Sequence, residues 1–444
     1  MSFIPQHRIF ALANSDGGAI ITSRLDCDIY KFPMGQFIWA EGHADVKVTF
    51  ALKIRTKGLK LGRVIPEAAL RAQLDALKKL KFSETELSQL GGMTITNKFG
   101  VTRHMFEFEY LNELRRRDLP DYTLQYLPNG EIDLRFTGSW LSVMFWETPA
   151  MAIISELYYW FLWKGIDSSS AFSSFYAEMY LRQIRDCVLL KGCPGLTLSQ
   201  FGHRRRHSRL IEVMIQELYQ ERLPGQCLSP SNVWLAFKMG QNNPKGTNAH
   251  ELPMVWGTLG DNSDEWIKRS PYDVVERWYK YYPELAILLP DTFGTTAFFA
   301  GASDQLVHDT LGIRIDSKPE LLAIPEGIEW FKRHGVDPKQ RIFIPSDGLD
   351  AARMVKTYET YARDVGVLTF GYGTMATNQI NGIMPPETGF HTISMVIKVI
   401  EANGRPTVKL SDNPNKHTGI SQKEIDRYIR LFGTAGDVTQ ATIV

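Results

Sequence analysis

Residues 46–54 alternate apolar and polar side chains over most of their length, which predicts a half-buried strand. Residues 66–80 place apolar positions at helical spacing instead, with Pro66 near the helix start. Residues 106–110 and 131–136 read as further strands, so residues 1–145 predict a small α+β domain. At Glu147 the pattern changes. Thr148-Pro149 opens a long, largely apolar helix, and the serines from Ser168 suit the cap of a second one over about 169–190.

A recurring unit follows, in which a short apolar run ends abruptly in small or charged residues. Residues 196–199 lead into Phe201-Gly-His-Arg-Arg-Arg206, and 286–289 lead into Asp291-Thr-Phe-Gly-Thr295. In the same way 312–315 lead into Asp316-Ser317, 341–344 into Ser346-Asp-Gly348, and 367–370 into Gly371-Tyr-Gly-Thr374. Helical stretches such as 325–334 and 351–365 fall between them. Alternating strands and helices predict a parallel sheet. Functional residue types at strand C-terminal ends suit the mouth of an α/β barrel, although an open doubly wound sheet would collect them at its switch point. The expected fold is α/β, with an irregular α/β barrel over 146–399. A smaller α+β domain is expected from 1–145, with 400–444 packing back on it. The tail adds strand-like runs at 394–400 and 407–410 and a short helix near 423–431.

Composition narrows the function classes. Lys+Arg 50 against Asp+Glu 49 leaves no general basic field for nucleic acid or a membrane surface. The apolar stretch 151–163 is broken by Ser155 and Glu156 and is too short to span a bilayer. Residues 1–14 carry Gln6, His7 and Arg8 where a secretory signal would be apolar. Cys27, Cys187, Cys193 and Cys227 lack CxxC spacing, which points to reduced thiols in a cytoplasmic protein.

Candidate chemistry clusters at the loops. Gly246-Thr-Asn-Ala-His-Glu251 places His250 in a polar loop, with Glu251 as an acid able to orient the ring for nucleophilic or acid–base work. Gly371, Gly373 and Thr374 can bring backbone N–H groups and a hydroxyl to a phosphate, with Ser346 and Gly348 on its other side. Phe201 with Arg204 and Arg205 offers an aromatic shelf beside a carboxylate clamp. Asp291, Arg314 and Asp316 fall at adjacent strand ends, where the two carboxylates can bind sugar hydroxyls or a magnesium–phosphate and favour developing positive charge.

Taken in order, Leu25-Asp-Cys-Asp-Ile-Tyr-Lys31, Phe201-Gly-His-Arg-Arg205, Gly246-Thr-Asn-Ala-His-Glu251, Asp291-Thr-Phe-Gly-Thr295, Ile313-Arg-Ile-Asp-Ser317, Phe370-Gly-Tyr-Gly-Thr374 and Val408-Lys-Leu-Ser-Asp412 resemble the nicotinate phosphoribosyltransferases over nearly the whole chain. The resemblance implies condensation of nicotinate with phosphoribosyl pyrophosphate, assisted by ATP and Mg²⁺, in a homodimer. It implies that ATP phosphorylates His250 beside Glu251, and that Phe201 and Tyr30 of a second subunit sandwich the pyridine. Arg204 or Arg205 would hold the carboxylate, while Asp291, Arg314 and Asp316 face ribose and base. Gly348, Gly371, Gly373 and Thr374 would take the 5′-phosphate, and Arg55, Lys398, Lys409 and Lys416 would meet pyrophosphate or ATP phosphates.

Three positions depart from the family pattern. His203 stands where Thr usually precedes the arginine pair, Lys318-Pro319 where Gly-Asp is common, and Gln200 where an acid often precedes Phe201. A nicotinamide-specific enzyme would want an acidic group facing its amide, and a non-catalytic nucleotide-binding homologue is the reading from another class.

Overall fold

The computed structural model describes residues 18–166 and 169–439. The reading of residues 1–14, and Ser168 at the expected helix cap, lie outside them. Twelve strands occur among the described residues, in chain order β1 (Lys47–Ile54), β2 (Thr94–Thr96), β3 (Thr102–His104), β4 (Tyr122–Tyr126), β5 (Ile132–Ser139), β6 (Thr197–Gln200), β7 (Ile287–Leu288), β8 (Gly312–Ile315), β9 (Ile342–Pro345), β10 (Val367–Tyr372), β11 (Met395–Ala402) and β12 (Arg405–Pro406). They form an antiparallel sheet ordered β12-β11-β1-β5-β4, a parallel sheet ordered β6-β10-β9-β8-β7, and a β2-β3 hairpin.

The antiparallel sheet follows from the period-two pattern, with Val48 and Phe50 of β1 buried on one face. The register between β1 and β11 shifts between Thr49 and Phe50. The parallel strands are short apolar runs covered by helices, as buried parallel strands require. They hydrogen-bond side by side as five strands and do not close into a ring among the described residues. All five run the same way, so their C-terminal tips share one edge.

Among the described residues two helices carry a proline beyond the first turn and survive for a local reason. Pro325 in the Glu320–Arg333 helix cannot donate to Leu321, and the Tyr361 hydroxyl donates to that carbonyl instead at 3.2 Å. Pro271 in the Asp264–Tyr281 helix leaves the Ile267 carbonyl to the Ser270 hydroxyl at 3.0 Å. The sequence places the first of these helices five residues too late by treating Pro325 as its start.

Residues 106–110, expected as a strand, differ. They run into the Phe108–Arg116 helix, where Tyr110, Leu111 and Leu114 are buried at helical spacing and Phe108 is exposed. The tail divides between the two sheets. β11 and β12 complete the antiparallel sheet, whereas the Gln422–Phe432 helix packs Tyr428 and Phe432 on Phe293 near the parallel one. Residues 407–410 are not an extended strand; Lys409 makes one bridge to Thr418, and Leu410 donates to the Thr292 carbonyl at 2.9 Å. Each of the four cysteines is a free thiol, and no described helix is long and apolar enough to cross a membrane.

Candidate active site

Sheet order places the chemistry. From β6 to β7, neighbouring tips carry Phe201, then Gly371–Thr374, then Ser346–Gly348, then Arg314 and Asp316, then Asp291. Phe201 continues the β6–β10 pairing by donating its N–H to the Tyr372 carbonyl at 2.7 Å. Its ring lies 6.0 Å from the Arg314 guanidinium carbon. Arg314 donates to Ser346 Oγ at 3.0 Å and to Asp316 Oδ1 at 2.9 Å, and Ser346 Oγ also reaches Asp316 Oδ1 at 3.1 Å.

The glycines have different tasks. A Cβ on Gly371 would lie 2.6 Å from two ring carbons of Phe201 and 2.9 Å from Ser346, so its bareness seats the aromatic ring. Gly373 faces open space, which leaves its backbone approachable, and Gly348 holds a left-handed φ of 57° that favours glycine. Thr374 Oγ1 accepts from Arg205 at 3.4 Å.

Asp316 joins this row to His250. Its Oδ2 lies 3.1 Å from His250 Nε2, and Lys409 Nζ lies 2.9 Å from the same nitrogen. Nδ1 is 2.9 Å from Thr292 Oγ1, and Asp291 Oδ2 is 3.7 Å from Nε2 and 3.2 Å from Lys409. When Nδ1–H donates to Thr292, the Nε2 lone pair faces Lys409; the other tautomer directs Nε2–H at Asp316. His250 is buried, not a solvated loop residue, because the 246–250 loop lies on the 29–30 segment: a Cβ on Gly246 would meet Ile29 at 2.8 Å. Burial, together with Lys409, brings the imidazole down to about 4 against the pull of Asp291 and Asp316. Burial opposes charge on Asp316 too, but Arg314 and its neighbours hold it well below the usual carboxylate range.

Glu251 does not orient His250. It begins the Glu251–Trp256 helix, where consecutive side chains point about 100° apart. Its carboxylate accepts from Trp140 Nε1 at 2.6 Å and pairs with Lys31, whose ammonium also meets Glu147 at 2.6 Å. The partners of His250 are therefore Thr292, Lys409 and Asp316. Tyr30 of the same chain is buried, with its hydroxyl 3.4 Å from Glu147 Oε2.

The three consecutive arginines have three fates. Arg204 is compensated by Asp28 at 3.3 Å and Glu147 at 3.9 Å. Arg206 is wholly buried among Asp26 (2.9 Å), Glu212 (2.7 Å) and Glu156 (2.7 Å), with His203 Nδ1 at 3.3 Å. Arg205 pairs with no carboxylate among the described residues and donates only to the Met395 carbonyl at 3.1 Å and to Thr374. Burial, then Arg204 and Arg55, push it down to about 9.

Two more cations share this condition. Arg55, just past β1, has a buried Nε without a hydrogen-bond partner among the described residues, and burial lowers its pKa. Lys398 of β11 forms no ion pair among the described residues; burial, against the pull of Glu147 and with Lys409, Arg204 and Arg55 beside it, brings it down to about 7. Lys409 and Lys416 differ, being paired with Asp291 and, at 2.6 Å, with Asp347. Arg205, Arg55 and Lys398 are half-buried, and like charges partly withdrawn from water without ion-pair partners favour an anion that joins them. They are thus the anion-seeking groups of the site.

Asp291 and Asp316 also suit a hard cation. Among the described residues Asp291 Oδ1 is buried without a hydrogen-bond partner, and ligand atoms of Asp291, Asp316 and His250 lie within 4.8 Å of one another. Sequence reasoning missed Asp28, Lys31, Glu147 and Thr292. Asp28 stands two residues from Tyr30 in the Leu25–Lys31 segment, so adjacency to Tyr30 is its signal; Glu147 reads as an acid at a helix start, and its closeness to Lys31 and Arg204 shows only in three dimensions.

Known proteins resemble this chain over most of its length. Residues 196–434 match the model of the nicotinate phosphoribosyltransferase (NAPRTase) family, and residues 25–155 match that of the NAPRTase N-terminal domain. A crystal structure of nicotinate phosphoribosyltransferase from Vibrio cholerae is similar, with a TM-score of 0.80 and 26% identity, covering 94% of each chain. One from Porphyromonas gingivalis gives a TM-score of 0.78 and 26% identity over 93% of this chain and 100% of that one. In fold, the chain is also similar to a putative nicotinate phosphoribosyltransferase from Saccharomyces cerevisiae, with a TM-score of 0.77 and 23% identity over 94% of this chain and 99% of that one. The chain belongs to the nicotinate phosphoribosyltransferase family.

Proposed function

We propose that this chain transfers phosphoribosyl from phosphoribosyl pyrophosphate to nicotinate, forming nicotinate mononucleotide and pyrophosphate in NAD biosynthesis. The observation that carries the reading is the shared edge where the Phe201 ring, the Asp316 carboxylate and the glycine turns meet half-buried cations that form no ion pair among the described residues. In the reaction the ring nitrogen forms a bond to C1′ of the ribose as the C1′–oxygen bond to pyrophosphate breaks. Positive charge develops on the sugar, where Asp316 and Asp291 stabilise it electrostatically. Negative charge accumulates on pyrophosphate, which Arg55, Lys398 and the lysines near it neutralise. Magnesium, when bound by Asp291 and Asp316, would supply further neutralisation of the phosphates.

ATP assistance is part of this proposal, with His250 taking the γ-phosphate while ADP leaves, and water later releasing it. Its support is the neutral ring, nucleophilic at Nε2 in one tautomer, beside the Lys409 ammonium. Because the pKa lies at about 4, the ring stays unprotonated as pH falls from 8 to roughly 5. The rate of ³²P transfer from ATP to the protein is therefore expected to show no histidine-dependent acid limb in that range. A limb centred near 6.5 in the wild-type transfer rate would contradict the buried neutral ring. A homodimer with cytoplasmic localisation completes the reading; sedimentation measures the dimer.

Nicotinamide is the second reading, favoured by Asp28 and Glu147, which flank Arg204 and can accept from an amide. Incubating the purified protein with phosphoribosyl pyrophosphate, Mg²⁺ and either base, with and without ATP, tests both. Mononucleotide from nicotinate in preference to nicotinamide supports the proposal; the reverse order, or none from either, overturns it. Within this reading, Gly371→Ala drives a methyl against the Phe201 ring. It is expected to raise the KM for nicotinate by about three- to tenfold, the value of one displaced ring stack. Unchanged steady-state kinetics would show that Phe201 is not the shelf.

A further inference from the structure

The turn that carries Gly371, Gly373 and Thr374 is anchored from behind by a helix that touches no proposed substrate. Tyr372, between the two glycines, is fully buried and donates its hydroxyl to Asp186 Oδ2 at 2.8 Å. Its ring lies parallel to Tyr219, with centroids 6.3 Å apart and planes at 14°. Tyr219 in turn donates to Gln183 Oε1 at 2.5 Å. Gln183 Nε2 donates to the Met375 carbonyl and to Gln379 Oε1, both at 2.9 Å, and Arg182 donates to the Asn381 carbonyl at 2.8 Å. Arg182, Gln183 and Asp186 lie at three- and four-residue spacing on the Ser169–Lys191 helix, so one face grips residues 372–381.

A glycine-rich turn is mobile unless something holds it, and a mobile phosphate site must be ordered at each binding event. The only side chain between Gly371 and Gly373 is Tyr372, so fixing that ring fixes the direction of the peptide groups on either side. We propose that Asp186, supported by Gln183, is a positioning residue that aims the Gly371–Thr374 backbone at a phosphate monoester by holding Tyr372 from behind. The inference rests on the reading of that turn as the 5′-phosphate site in the proposed function. An ionised carboxylate is the stronger acceptor for the phenol, so the clamp weakens when Asp186 gains a proton. The groups facing it are Tyr372, Gln379 and Asp350, with Tyr219 and Cys187 alongside. Burial and Asp350 push its carboxyl up to about 6. Asp350 caps the Ala351–Tyr361 helix two residues beyond Gly348, which places the other side of the phosphate site in the same electrostatic neighbourhood.

Asp186→Asn, Tyr372→Phe and the double variant test this in the full chain. Each single change is expected to raise the KM for phosphoribosyl pyrophosphate about tenfold, with the KM for nicotinate within about twofold of wild type. The double variant should be no worse than either single one, because both remove the same bond. As pH falls through about 6, the wild-type KM for phosphoribosyl pyrophosphate should rise towards that of Asp186→Asn, closing the gap between them. Calorimetric binding of ribose 5-phosphate, which needs no turnover, should weaken in parallel. Equal rises in both KM values, multiplying effects in the double variant, a lower melting temperature with unchanged kinetics, or no ribose 5-phosphate binding by wild type would each overturn the proposal. Wild type that binds ribose 5-phosphate in an Asp186-dependent way yet makes no mononucleotide would sink the proposed function and leave this inference standing.

Discussion

Asp316→Asn is expected to lower kcat/KM for mononucleotide formation by about 10²–10³-fold, the loss typical when a group aimed at developing charge is neutralised. The substitution keeps shape and most hydrogen bonding, since an amide oxygen can still accept from Arg314 and Ser346. What disappears is the negative charge that Arg314 and Lys409 surround and that faces His250. The positive charge on the sugar then meets two cations with less to offset them. The expected pattern is a fall mainly in kcat, with the melting temperature close to wild type. A change of less than threefold would place Asp316 outside the reaction and reduce it to an ion-pair partner of Arg314.

Arg206→Met is expected to destabilise the folded chain by about 3–5 kcal/mol, because it leaves buried carboxylates without their cation. Asp26, Glu156 and Glu212 all contact this guanidinium, and Asp26 and Glu212 are held below their ordinary pKa by it despite burial. The pH dependence has a definite sign. Depressed carboxylates contribute stability that is complete above their unfolded pKa of about 4 and is lost as pH falls through the lower folded value. In the variant the same groups take up protons to escape the burial penalty. The gap between wild type and variant should therefore be widest near neutrality and narrow in acid, as read from urea midpoints at several pH values. A gap under about 1 kcal/mol, or one that does not change with pH, would show that water already reaches the cluster.

The parts of this molecule that local pattern controls were legible in its sequence. The five parallel strands declare themselves because each apolar run stops where chemistry begins, and the tips of β6 to β10 carry the residues expected there. Sheet order, which no local pattern contains, turns that row into one site. Phe106, Phe108 and Tyr110 mislead by alternating, whereas the buried Tyr110, Leu111 and Leu114 decide for a helix. Glu251 misleads by adjacency, since a neighbour in sequence on a helix is a stranger in space. Its real partner Lys31 lies 220 residues away, a distance that no spacing rule covers. The run Phe201–Arg206 shows the same limit: composition identifies three cations, and only packing separates a compensated one, an uncompensated one and a core one.

The pairing of β1 with β11 joins Lys47–Ile54 to Met395–Ala402 at the middle of the antiparallel sheet. On a ribosome extending the chain at about 5–20 residues per second, β1 waits roughly 17–70 s for its neighbour to be made. Through that interval one side of β1 presents unpaired N–H and C=O groups, a template for joining another nascent chain. Yield during synthesis therefore depends on how well that open border is shielded, by holdase chaperones or by slow local collapse, more than on the stability of the finished fold.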